Sequence, residues 1–199
     1  MIYRSPKSAL RALYKIATAQ GGYFTAKQAA TAGYGNRHVA YHTKSGNFER
    51  IAHGLYRLPT VPHSDHDDLI LIALWSRGRD DAPRGVISHE SALALHDLSD
   101  MLPGKIHITV ARSFRKRPPR SCVLHRGKVA RSEADNWTGF KVTTPLRTLT
   151  DCAESDSVST EQLRQAVVDA LDRGYVRRSE LAAASKGSNR LSAILKAVR

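Results

Sequence analysis

The chain opens with apolar residues that recur at the period of an α-helix. From Ser8 to Ala19, alanine, leucine and isoleucine return every three or four positions, which predicts a helix with one buried face. Lys7, Arg11 and Lys15 follow one another at intervals of four residues, so they share a different, charged face of the same helix.

Two more helices are predicted directly after the first. Thr25 is a favourable N-cap for the segment AKQAATA at residues 26–32, and Gly33 is placed to end that helix. Asn36 is predicted to cap a third helix that runs to about Ser45. A helix, a short helix, a turn and a further helix, in that order, are typical of a helix-turn-helix unit.

Two short strands are predicted after the third helix. Residues 48–51 and 55–58 are rich in strand-forming side chains, and His53-Gly54 between them is suited to a hairpin tip. A hairpin in this position forms a wing. The pattern therefore predicts a winged helix-turn-helix.

A linker is predicted where this pattern stops. Pro59 and Pro62 disfavour both helix continuation and central-strand pairing. The predicted domains are accordingly a winged helix-turn-helix DNA-binding domain at residues 1–60 and a second domain at residues 61–199.

The second domain mixes helical and strand patterns. Helices are predicted after Ser64, from Ile87 to Leu98, from Pro145 to Ala153, after Ser159 and around residues 191–198, and strands at 105–111, 121–125 and 140–143. Arg147 and Asp151, four residues apart, are predicted to form a surface ion pair. The predicted fold class is α+β, with the winged helix followed by a mixed α/β domain that has a helical C-terminal part.

Composition excludes several classes of protein. Of 199 residues, 41% are hydrophobic, enough for a packed core, and the longest apolar clusters are far shorter than a membrane span. The amphipathic N-terminus does not resemble a secretory signal. Cys122 and Cys152 form no metal-binding or redox motif. We therefore expect a cytoplasmic protein with no membrane partner.

The charge is large and unevenly spread. The chain has a net charge of +13 and an isoelectric point near 10.1. Residues 1–60 hold nine Lys or Arg and one acid, Glu49, a net charge of +8. A positive excess of this size in one segment is typical of nucleic-acid binding.

The third predicted helix presents its cations together. On a helical projection, Arg37, Tyr41 and Lys44 lie within about 40° of the direction opposite Val39. Arginine reads guanine in the major groove, whereas tyrosine and lysine can bind phosphate. The predicted DNA-binding residues of this helix and of the wing are Arg37, His38, Tyr41, Lys44, Arg50, His53 and Arg57.

A second cluster of cations follows the strand predicted at 105–111. Its members surround Phe114 and precede a Pro-Pro pair; they are Arg112, Arg115, Lys116, Arg117 and Arg120. Three interpretations remain open at this point. The segment is a solubilising hairpin tip, a second patch that contacts phosphate, or a docking surface for an acidic partner.

The sequence contains no recognisable catalytic or cofactor-binding motif. The imidazoles and carboxylates of residues 63–68 could suggest a metal site, but a helix start explains them better. Glu90, Asp97 and Lys105 could be assembled into a nuclease site, although their loose spacing fits many sites. We therefore predict no enzyme activity, no cofactor and no metal.

Several segments, taken in order, resemble a known family. These are ERIAHGLYRLP (Glu49 to Pro59), VISHESALALHDLSDMLPGKIHITV (Val86 to Val110), VLHRG (Val123 to Gly127) and GFKVTTPLRTLTDCA (Gly139 to Ala153). Their order and spacing, over roughly residues 5 to 160, resemble the AbiEi antitoxins of bacterial abortive-infection toxin–antitoxin pairs.

The resemblance implies two activities. The winged helix would bind double-stranded DNA at inverted repeats in its own promoter and repress the operon. The second domain would counteract a cognate nucleotidyltransferase toxin, with or without direct contact. The resemblance transfers no catalytic residue. Two alternatives remain, a nuclease or nucleic-acid-modifying enzyme delivered by the winged helix, and a plain winged-helix transcription factor.

Overall fold

The computed structural model describes residues 5–100, 102–155 and 157–198, and so leaves Arg4, one of the nine N-terminal cations, outside. The helices are α1 Pro6–Thr18, α2 Ala26–Ala32, α3 Asn36–Lys44, α4 Asp67–Trp75, α5 His89–Leu95, α6 Pro145–Glu154, α7 Thr160–Asp172, α8 Arg178–Ala184 and α9 Asn189–Ala197. The strands are β1 Tyr23–Thr25, β2 Glu49–Ala52, β3 Leu55–Arg57, β4 Gly85–Ile87, β5 Ile106–Val110, β6 Cys122–Arg126, β7 Ala134–Trp137 and β8 Phe140–Thr143. Short 3-10 helices occupy Arg131–Glu133 and Ser185–Gly187. The predicted α+β fold class is confirmed.

The chain forms two compact units whose division differs from the predicted linker. The first unit comprises the described residues up to Pro83 together with Thr138–Phe140, and the second comprises the remainder. Residues beyond Pro62 stay with the winged helix because they bond to it. The Tyr23 hydroxyl donates to Asp67 at 3.0 Å, and the guanidinium of Arg77 donates to the Gln20 side chain.

The first unit is built on a three-stranded antiparallel sheet in the order β1-β3-β2. The wing hairpin predicted from the sequence is confirmed as β2 and β3. Its neighbour β1 pairs Phe24 with Tyr56 in register. Phe24 is fully buried and contacts the Phe48 ring at 5.1 Å and the Tyr56 ring at 5.7 Å. These aromatic contacts fix the wing against β1.

The helices of the first unit begin and end largely where the sequence predicts. The Thr25 hydroxyl accepts from the backbone N–H of Gln28, whose side chain accepts in return from the backbone N–H of Thr25. Gly33 ends α2 with φ +110°, a left-handed conformation that disfavours a side chain. The prediction for Asn36 is wrong by one position, because Gly35 is the N-cap of α3 and Asn36 is its first residue.

The second unit contains a five-stranded mixed sheet in the order β6-β5-β4-β8-β7. Strand β4 is antiparallel to β5, whereas β5 and β6 are parallel, with Ile106 opposite Cys122 and Val110 opposite Arg126. The segment between β5 and β6 therefore cannot be a hairpin tip. The segment instead runs back along the sheet. The interpretation of the basic cluster as a solubilising hairpin tip is therefore wrong.

Helices α5 to α9 supply the main apolar core of the second unit. Thr144 and Ser159 cap α6 and α7 as predicted. The apolar stripe of α9 packs into the unit's own core, where Leu191 is completely buried. The predicted surface pair is wrong in one respect: Arg147 donates to Asp151 at 2.8 Å, but Asp151 is buried. Burial raises the pKa of the Asp151 carboxyl although the guanidinium opposes the rise.

Candidate nucleic-acid interface

Helix α3 is anchored by one face. Val39 is 4% exposed, and the half-buried His42 ring lies 4.9 Å from Phe48 and 5.3 Å from Tyr34. The Thr43 hydroxyl turns back to the carbonyl of Val39 at 2.8 Å and so remains on the same side. The opposite face is left to solvent.

The four residues of α3 that were predicted to bind DNA are all exposed. Arg37, His38 and Lys44 are exposed, and Tyr41 is 68% exposed, a large value for an aromatic residue. An exposed phenol beside two cations offers hydrogen bonds to phosphate and a flat surface for a base edge. The arrangement is suited to a helix that enters the major groove.

The wing is held close to α2 and α3. Gly54, at the hairpin tip, accepts a hydrogen bond at 2.9 Å from the backbone N–H of Ala26, the first residue of α2. The pairing of β2 with β3 shifts in register between Arg50 and Ala52. His53 is exposed at the tip, beside the shift.

A groove of about 350 Å³ separates α3 from the wing. Asn36, Val39 and Lys44 line it from the helix, and Arg50 and Tyr56 line it from the strands. Lys44 and Arg50, which were predicted as contacts on two different elements, are thus brought to one groove. With one cation on each side, the groove is suited to a phosphate backbone that passes through it.

Arg57 does not belong to this surface, and its predicted role is wrong. The residue is 2% exposed. One terminal nitrogen lies 3.4 Å from the carboxylate of Glu49, the other donates to the carbonyl of Val61, and the guanidinium lies 5.7 Å from the centre of the Tyr23 ring. Arg57 therefore ties the wing to the segment that follows it.

The second predicted basic cluster is exposed throughout. Its cations occupy the segment between β5 and β6, and they are Arg112, Arg115, Lys116, Arg117 and Arg120. Two hydrogen bonds order the start of this segment. Arg126 of β6 donates to the carbonyl of Phe114 at 2.7 Å, and Arg115 donates to the carbonyl of Arg112 at 3.1 Å.

A cluster of three histidines in the second unit was not predicted. His89 and His125 stack with ring centroids 3.5 Å apart, and His125 Nε2 lies 3.1 Å from His107 Nδ1. His107 Nε2 lies 3.8 Å from the carboxylate of Glu90. The residues come from α5, β5 and β6, so no local spacing in the sequence could have revealed them.

Burial keeps this cluster neutral at ordinary pH. It lowers the pKa of His89 to about 3, with a further contribution from His125, and that of His125 to about 4. His89 has φ +53°, an uncommon conformation for a residue with a side chain. Within the described ranges, no group of three or more His, Cys, Asp or Glu side chains is arranged to hold a metal ion.

The acidic segment before α4 also has a structural explanation. His63 Nδ1 pairs with the carboxylate of Asp67, which accepts in addition from the backbone N–H of Ser64 at 3.2 Å. Asp67 and Asp68 occupy the first turn of α4, where negative charge stabilises a helix. In the part of the chain that the structure describes, no helix is long and apolar enough to cross a membrane.

Comparisons with known proteins bear on the first unit. Residues 11–59 match a family model described as a transcriptional regulator, AbiEi antitoxin. No curated protein matches the chain. A crystal structure of the RV2827C protein from Mycobacterium tuberculosis is similar over 100% of this chain and 84% of its own, with 17% sequence identity and a TM-score of 0.46.

The matched segment extends from α1 to the end of the wing and contains all seven predicted DNA-binding residues. It confirms the resemblance predicted from the sequence, over about a quarter of the chain. The segment that forms the winged helix is thus similar to AbiEi antitoxin transcriptional regulators.

Proposed function

We propose that this chain is the antitoxin of a bacterial toxin–antitoxin pair and represses its own operon by binding double-stranded DNA at inverted repeats. One observation carries the DNA-binding half of the proposal. Arg37, Tyr41 and Lys44 share the exposed face of a helix whose other face is fixed in an aromatic core. Arg50 extends the same surface on to the wing.

The interface is expected to work in two parts. Arg37 contacts base edges in the major groove, while Tyr41 and Lys44 hold the backbone phosphates on either side. Arg50 and His53 contact phosphate or the adjacent minor groove from the wing. Arg57 has no part in binding, because its guanidinium is buried.

A binding titration tests this half. The double variant Arg37→Ala/Lys44→Ala is expected to bind the DNA upstream of its own gene at least about tenfold more weakly. The slope of log affinity against log salt should also fall by about one, since Lys44 is the member of the pair that is assigned to a backbone phosphate. Fluorescence anisotropy at several salt concentrations measures both quantities.

The matched control removes the same charge from the same unit. Lys7 and Lys15 are exposed on α1, so Lys7→Ala/Lys15→Ala should leave affinity within about twofold. An equal loss in both double variants would mean that net charge, and not the α3 surface, determines binding. That result would overturn the recognition-helix assignment.

In the second half of the proposal, the second unit neutralises a nucleotidyltransferase toxin in the cytoplasm. The antitoxin itself carries out no catalysis. Co-expression with the neighbouring toxin gene tests it. The full chain and its Arg37→Ala/Lys44→Ala variant should both restore growth, since neutralisation is placed in the second unit. Failure of the full chain to restore growth would contradict this half and favour a plain transcription factor.

A further inference from the structure

The most basic stretch of the chain lies in the second unit, outside the winged helix. Between Asp100 and Glu133 the sequence holds nine Lys or Arg residues and no Asp or Glu. This excess of +9 in 32 positions exceeds that of the whole winged-helix segment. The DNA-binding proposal makes no use of it.

The topology gathers cations from three strands at one end of the sheet. Strand β4 starts where its antiparallel neighbour β5 ends, because Gly85 pairs with Val110. Strand β6 ends at the same place, because it is parallel to β5. Arg84 precedes β4 by one residue, Arg112 follows β5 by two, and Lys128 follows β6 by two. The three cations therefore lie beyond strand ends at the same end of the sheet.

These three cations line a cavity of about 520 Å³. The remainder of its wall is mostly aliphatic and comprises Val86, Thr109, Val110, Ala111, Gly127 and Val129. A site of this volume is in the range of small-molecule binding sites. A bare phosphate ion would need neither the volume nor the aliphatic wall.

Backbone hydrogen bonds hold the rim of the cavity in place. The N–H of Phe114 donates to the carbonyl of Ala111 at 2.9 Å, which closes a turn around Arg112. The N–H of Gly127 donates to the carbonyl of Val110 at 3.0 Å, and so extends the ladder between β5 and β6 to the residue before Lys128. The backbone at the rim is fixed in this way, so a ligand has to order only the side chains of Arg112 and Lys128.

The geometry points to a nucleotide-binding site in the second unit, with the base against the aliphatic wall and the phosphate on Arg112 and Lys128. Flat bases are bound in proteins between apolar side chains, and phosphate prefers arginine and lysine. The bases of a duplex are stacked and paired, so none of them is free to lie against this wall. The nucleotide is therefore free in solution or belongs to a single strand. This inference is independent of the role proposed for α3.

Anisotropy with a fluorescent single-stranded oligoadenylate of eight residues tests the site. The full chain carrying Arg37→Ala/Lys44→Ala serves as the background, so that the winged helix contributes little. Adding Arg112→Ala/Lys128→Ala should weaken binding at least about tenfold and reduce the salt slope by about 1.4, the value for two phosphates of a single strand. Lys186→Ala/Lys196→Ala, which removes two exposed cations of the same unit, should leave binding within about twofold.

Two further arms identify what occupies the cavity. Gly127→Leu places an apolar side chain in part of the cavity without a change of charge, and is expected to weaken oligoadenylate binding. Gly127 has no left-handed φ, and an added Cβ would lie at an ordinary 3.7 Å from Thr109. Competition by AMP would assign the site to a free nucleotide, whereas competition only by unlabelled oligoadenylate would assign it to a single strand.

Three outcomes would overturn the inference. The first is an equal effect of the Arg112/Lys128 and Lys186/Lys196 variants. The second is equal affinity for an abasic strand of the same length, which would leave the base without a role. The third is no effect of Gly127→Leu in a folded protein. Binding of operator duplex by Arg112→Ala/Lys128→Ala in an otherwise unaltered chain is measured in parallel, and separates a failure here from a failure of the DNA-binding proposal.

Discussion

The two basic surfaces of this molecule differ in what positions their cations. In the first unit, Arg37 and Lys44 project from one regular helix whose inner face is buried, so their spacing follows from the helical period. In the second unit, Arg84, Arg112 and Lys128 come from the ends of three strands and meet only because of the sheet topology. A local pattern can reveal the first kind of surface from sequence, but not the second.

Arg57 shows that charge alone does not identify either surface. It stands in the same basic segment as Arg50, yet Arg50 is exposed and Arg57 is buried against Glu49 and Tyr23. The two arginines differ in the contacts of their side chains and not in residue type. The difference between exposed and buried cations is therefore best tested by substitutions that change either the stability of the protein or its binding of DNA, but not both.

The largest effect on stability is expected from Arg57→Ala. Removal of the buried guanidinium leaves the carbonyl of Val61 without its donor and an unfilled space beside Tyr23, and we expect the free energy of unfolding to fall by about 2–4 kcal/mol. Urea denaturation measures the change. The matched substitution Arg50→Ala should cost less than about 0.5 kcal/mol, since that side chain lies in solvent. Equal stabilities of the two variants would contradict the structural role of Arg57.

A smaller effect is expected when the pH is lowered, and it belongs to the second unit. In the unfolded chain histidine takes up a proton near pH 6.5, whereas burial holds the pKa of His89 at about 3 and of His125 at about 4. Between pH 6.5 and about 4 the unfolded state binds more protons, so stability falls as the pH falls. We expect a loss of about 2 kcal/mol over this range after allowance for partial exposure.

Denaturation at pH 7 and pH 4.5 measures this loss. His125→Asn should flatten the dependence on pH, because one of the buried imidazoles is removed. His53→Asn, at the exposed tip of the wing, should leave it unchanged. If the dependence on pH persists in His125→Asn and disappears in His53→Asn, the titrating group lies in the first unit. That result would contradict its assignment to the buried histidines of the second unit.

The smallest expected effects come from two equivalent helix caps. Thr25 and Ser159 each accept from the backbone N–H of a glutamine three residues later, whose side chain accepts in return. Thr25→Ala and Ser159→Ala are each expected to lower the free energy of unfolding by about 1 kcal/mol. At a temperature where both are folded, Ser159→Ala should bind operator DNA as the unaltered chain does. Weaker binding by Ser159→Ala alone would mean that DNA binding depends on the second unit.

Features set by neighbouring residues could be predicted from the sequence. The hairpin at β2 and β3 and the caps Thr25, Thr144 and Ser159 all depend on residues a few positions apart. The resemblance to AbiEi antitoxins was also carried by short segments, and the match over residues 11–59 confirms it. The exposure of Arg37, Tyr41 and Lys44 followed from the helical period.

Features that depend on distant residues could not be predicted. Strand β1 has only three residues, and its pairing partner β3 lies about thirty positions later. The parallel pairing of β5 with β6 is invisible in the alternation of either strand. The cluster of His89, His107 and His125 depends on that pairing. The burial of Arg57 similarly depends on a contact with β1.

The parallel pairing of β5 and β6 also limits how the length of the basic segment between them can change. Residues 111–121 must return along a strand of five residues, a distance of about 17 Å. Eleven residues can span about 36 Å at most, so deletion of more than about five would pull β6 out of register. Insertions meet no such limit. The segment can therefore become longer without disturbing the sheet, but it can become shorter only until the chain between β5 and β6 is fully extended.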